Sequence, residues 1–119
     1  MKLKRIGFFP ELSTAPSEAV SLKDVVRDVG SSEEAKIAAY LKSGIVFIAR
    51  PGIERDVLND QHPVIGSGHL LTDGIWLWPD SLSHYVATYH LRLRDEFIDH
   101  LRARSWSVPA EIDLRSLSI

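Results

Sequence analysis

The chain has 119 residues, 45% hydrophobic and 25% charged, with a formal net charge of -2 from 14 basic and 16 acidic side chains. That length supports one hydrophobic core and one domain over residues 1–119, and the composition excludes fibrous and disordered classes. A mildly acidic balance gives no electrostatic basis for gripping nucleic-acid phosphates, and the lack of cysteine removes disulfides, thiolate ligands and thiol nucleophiles.

No apolar run reaches the roughly 7–15 residues of a signal-peptide core or the about 18 of a membrane span. The expected location is therefore the cytoplasm, with no membrane partner.

In chain order, residues 3–9 suit a short strand through Ile6, Phe8 and Phe9, and Pro10 ends it. From Ser21 to Gly30, Leu22, Val25, Val26 and Val29 recur at helical spacing, which predicts a short helix capped by Ser21. A stronger helix follows at residues 32–43. Ser31 and Glu34 have capping-box spacing, Ile37, Tyr40 and Leu41 form the apolar stripe, and Gly44 suits a left-handed C-terminal position.

Ile45 to Arg50 is a continuous apolar run and reads as a central strand, stopped by Pro51-Gly52. Residues 51–69 read as a loop with one helical turn, the kind of segment that carries binding functions. His69–Leu71 and Ile75–Trp78 are expected strands around Thr72-Asp73-Gly74, whose Asp-Gly pair suits a hairpin turn. Asp80 is placed to cap a helix over 81–90 with Leu82, Tyr85, Val86 and Tyr89 on one face. A last helix over 94–104 buries Phe97, Ile98 and Leu101, and the tail from Val108 reads as an edge strand or packed arm.

Chemical signatures are weak. The five histidines show no His-x-x-x-His or Glu-x-x-His pair, so no metal site is expected. Gly66-Ser67-Gly68 lacks the lysine and length of a phosphate loop, and no serine lies in a nucleophile elbow. The carboxylate pairs fall at helix starts or exposed faces, which leaves no catalytic residue and no cofactor to assign. Trp76 and Trp78 alternate with Ile75 and Leu77, so both faces of their strand are apolar and expected to be covered.

The stretch Thr72-Asp73-Gly74-x-Trp76-x-Trp78-Pro79-x-x-Leu82-x-x-Tyr85-Val86, with Tyr89, Leu93, Phe97, Ile98 and His100, resembles small bacterial immunity-type proteins encoded near polymorphic or contact-dependent toxins. Ser31 to Pro51 matches more loosely, and Arg94 stands where that pattern has a proline. The resemblance implies a non-enzymatic module that neutralises a cognate toxin by occluding its active site.

The expected fold is α+β, a small and mostly antiparallel sheet with a Thr-Asp-Gly hairpin packed by three to four helices. The expected partner surface comprises Asp56, Asp60, His62 and His69 of the 51–69 loop with Asp73 and Gly74 at the hairpin tip. Two other readings compete with it. One is a small enzyme or ligand-binding domain using histidines and carboxylates around that loop; the other is a homo-oligomer joined through the Trp-rich strand or the C-terminal arm.

Overall fold

A computed structural model describes all residues, 1–119, as an α+β fold. Strands β1 (Lys4–Arg5), β2 (Ile45–Ile48), β5 (Leu70–Thr72) and β6 (Trp76–Pro79) form a sheet in the order β1-β6-β5-β2. Strands β3 (Glu54–Arg55) and β4 (Val64–Gly66) form a separate antiparallel hairpin. Only β1 runs parallel to its neighbour; β2, β5 and β6 pair antiparallel. Helices α1 (Glu34–Lys42), α2 (Leu82–Tyr89) and α3 (Asp95–Ala103) complete the fold, and no helix is long and apolar enough to cross a membrane.

Side-chain alternation on β5 and β6 divides the core in two. Leu71, Trp76 and Trp78 face the helices and pack with Tyr40, Leu41, Tyr85 and Phe97, whereas Leu70 and Leu77 face the other way and pack with Leu3 and Phe8. Both tryptophans are fully buried, and truncating such an aromatic side chain costs about 3–5 kcal/mol. Trp78 also donates its Nε1–H to the Leu41 carbonyl at 3.0 Å, satisfying an acceptor in the last turn of α1. Its ring sets the identity of residue 44: a Cβ there would lie 2.6 Å from the Trp78 ring, so Gly44 is required by packing. The expected left-handed φ is not its role, since Gly44 lacks a positive φ.

Several local expectations are corrected. The 21–30 helix shortens to one 3₁₀ turn, Leu22–Val25, because the Val25 carbonyl accepts from Arg92 N and Arg27 N donates to the Tyr89 carbonyl. Long-range pairing has replaced the next helical turn. β2 is an edge strand rather than a central one, which leaves Val46 exposed. The 51–69 segment contains the β3–β4 hairpin in place of a helical turn.

Glu34 does not close a capping box; its carboxylate meets His90 Nδ1 at 2.9 Å. Asp80 does not cap α2 either. It accepts from the backbone amides of Ser67, Gly68 and His69 at 3.2–3.3 Å, filling the concavity those successive N–H groups make. The C-terminal tail is a packed arm that bridges to the N-terminus at Lys2 and Ser118.

Candidate functional site

Two aspartates organise the polar interior. Asp73 precedes Gly74-Ile75 in the β5–β6 turn, where Gly74 takes a φ of 98° that a β-carbon would disfavour. Asp73 Oδ1 accepts from Ile75 N at 3.0 Å and Trp76 N at 2.8 Å. Its Oδ2 accepts from the Tyr40 hydroxyl at 2.5 Å and His100 Nε2 at 2.7 Å. Arg104 adds a bond of 3.1 Å to the Asp73 carbonyl. Burial raises this carboxyl, but the hydrogen bonds from Tyr40, Trp76, Ile75 and His100 outweigh burial and hold it below the ordinary aspartate value. Tyr40 is displaced oppositely: burial and the adjacent carboxylate keep its hydroxyl protonated.

Asp56 repeats this arrangement on the second hairpin. Its Oδ2 accepts from His84 Nε2 and the Tyr89 hydroxyl, each at 2.7 Å, and Oδ1 accepts from Leu58 N at 2.8 Å. Burial again raises the carboxyl, and the bonds from His84, Tyr89 and Leu58 lower it further than burial lifts it. Tyr89 is pushed up to about 12, by burial first and then by Asp56. Beside this pair the Tyr85 hydroxyl accepts from Val57 N at 3.1 Å and donates to the Arg55 carbonyl at 3.3 Å. Three polar-tipped aromatic residues of α2 thus fasten the β3–β4 hairpin to the body.

The expected partner-binding residues therefore divide. Asp56 and Asp73 are buried and their carboxylates are consumed internally, which corrects the expectation that either presents a charge to a partner. Gly74 is half-buried, with Ile112 of the C-terminal arm 3.5 Å from where its β-carbon would stand. His69 is also half-buried, and its Nδ1 accepts from Arg50 N at 2.9 Å. Asp60 and His62 remain exposed at the tip of the β3–β4 hairpin, where Asn59 to His62 form a turn closed by His62 N on the Asn59 carbonyl. Trp76 and Trp78 offer no surface to a second copy of the chain.

Tyr40, His84, Tyr89 and His100 are the polar partners that sequence reading missed. The only local signal was the density of polar-tipped rings on α2, since His84, Tyr85 and Tyr89 exceed what an apolar core requires.

An ionised carboxylate holding a histidine is one half of a general-base arrangement. Here the Thr88 hydroxyl lies 3.4 Å from His84 Nδ1, but it belongs to the next turn of the same helix. Neither Asp56, His84 nor Thr88 lines any of the three surface cavities. No three histidine or carboxylate side chains converge in a way that could hold a metal ion.

The fold and the hairpin define an α+β domain with a small two-stranded appendage clipped to its helical layer. No protein family matches the chain, and neither a curated protein nor a solved structure is detectably similar to it.

Proposed function

We propose that the chain is a protein-binding module of the immunity type, which neutralises a cognate bacterial toxin by occluding its active site. The observation that supports this reading is the placement of exposed apolar side chains. Ile53, Val57 and Val64, exposed by 65%, 41% and 57%, all belong to the β3–β4 hairpin and its immediate flanks. Three of the nine exposed large apolar side chains thus fall on one two-stranded element, and apolar side chains gathered in this way favour a protein contact. Asp60 at the tip adds a carboxylate acceptor beside the His62 ring, whose Nδ1 lies 3.1 Å from the Asp56 carbonyl. The resemblance carried by Thr72 to His100 supplies the toxin as the partner class.

Co-expression with the product of the neighbouring coding sequence tests the reading. A stable complex and relief of growth inhibition are expected. A chain carrying both Ile53→Asp and Val64→Asp should keep its circular-dichroism spectrum and bind at least about tenfold more weakly. No complex with the wild-type chain, or full affinity in the double variant, contradicts it.

A further inference from the structure

On the sheet face opposite the helices lies a cavity of about 420 Å³, between the N-terminal loop at Phe8 and the chain leaving β2 at Arg50. Small-ligand sites occupy roughly 300–1,000 Å³, so its size suits a compact molecule. Leu12, Phe8 and Leu70 supply apolar lining, and Arg5, Arg50 and Glu54 supply charge.

Neither arginine has a carboxylate partner. Arg5 stacks on the Phe8 ring at 4.4 Å and donates one bond, from Nη2 to the Ala15 carbonyl at 2.9 Å, while its Nε–H is buried without any acceptor. The Arg50 guanidinium donates only its Nε–H, to the Gly68 carbonyl at 3.0 Å. Ser81 lines the same cavity. Arg5 Nη1 and both Nη groups of Arg50 make no hydrogen bond within the chain, and guanidinium groups prefer the two oxygens of a carboxylate or phosphate.

Charge distinguishes these two anions. Glu54 in the same lining opposes a second negative charge, which favours a monoanion over a dianion.

We propose that this cavity binds a small monocarboxylate with a short apolar body, its carboxylate between Arg5 and Arg50 and its hydrocarbon part against Leu12 and the Phe8 ring. The cavity shares Glu54 with the β3–β4 hairpin, but its assignment does not rest on toxin binding, and hexanoate binding and complex formation are read in separate experiments.

Titration of the full chain with hexanoate, followed by amide nitrogen–proton NMR spectra, tests the proposal. Saturable shifts centred on Gly68, Leu70 and Leu77 are expected. Arg50→Ala should weaken hexanoate about tenfold or more without disturbing distant amides, and Glu54→Gln should tighten it by removing the lone negative side chain. Absence of saturable shifts with hexanoate overturns the site. Equal binding of hexylammonium, tighter binding of inorganic phosphate, or an unchanged affinity in Arg50→Ala overturns the assignment of a monocarboxylate held by guanidinium.

Discussion

Asp73 and Asp56 are gripped by the same chemistry, a tyrosine hydroxyl, a histidine Nε2 and backbone amides, yet they sit in different parts of the molecule. Asp73 closes the β5–β6 turn inside the main core, where Trp76, Phe97 and His100 pack against one another. Asp56 lies on a two-stranded hairpin, an element too small to be stable alone, and joins it to α2. One clip fixes the core; the other mounts an appendage on it. The same hydrogen-bond set therefore has global consequences in one place and local ones in the other.

The largest way to test that contrast is Asp73→Ala. It strands the Tyr40 hydroxyl, His100 and two buried amides, and should lower unfolding free energy in urea by about 3–5 kcal/mol. Asp56→Ala removes a similar number of bonds, but its partners lie nearer solvent and regain water. A loss of about 1–3 kcal/mol is expected, with the main-sheet amides keeping their protection. A global loss as large as that of Asp73→Ala would erase the distinction.

Acid should act through both clips. Each carboxyl lies below the ordinary value of 3.8 when folded, so its contribution is present above that pH and is lost as the pH falls through the lower folded value. Urea midpoints measured below pH 4 should fall steeply in the wild type and less steeply in Asp73→Ala. An unchanged slope would remove Asp73 from the acid response.

Tyr89→Phe is a smaller perturbation, expected to cost about 0.5–1.5 kcal/mol near neutral pH. The wild-type contribution is complete below the ordinary tyrosine value of 10.0 and disappears as the pH rises toward about 12, so the variant should show a flatter alkaline limb. Smallest of all, Ile53→Asp with Val64→Asp should change stability by no more than about 0.5 kcal/mol per site, because both side chains already face water. Thermal unfolding checks this, and a larger loss would mean that the hairpin surface is structural.

Much of the main body was legible from periodicity. The stripe Ile37, Tyr40, Leu41 and the stripe Leu82, Tyr85, Val86 locate α1 and α2, and strand alternation separates the two tryptophans from Leu77. What periodicity does not encode is where a polar side chain goes when its partner is distant in sequence. Glu34 and Asp80 have the spacing of helix caps, but His90 and the amides of Ser67 to His69 take them instead. Val25 has helical neighbours and pairs with Arg92. The apolar run at β2 resembles a buried strand although its outer edge is unpaired, because composition reports hydrophobicity and not the number of neighbouring strands.

The candidate surface was legible only in outline. Asp60 and His62 do stand exposed on the 51–69 segment, but Asp56 and Asp73 turn inward; the polar-tipped rings of α2 hint at His84 and Tyr89, whereas nothing local identifies Tyr40 or His100.

Native-state hydrogen exchange of Asp56→Ala tests most directly whether a rigid body carries a separately fastened hairpin. The amides of Asp56, Val57 and Leu58 should lose protection, while those of Leu71, Leu77 and Trp78 keep wild-type opening free energies apart from the small global loss. Equal loss of protection in the hairpin and in the sheet would contradict the account, because the hairpin would then be part of the core and not mounted on it.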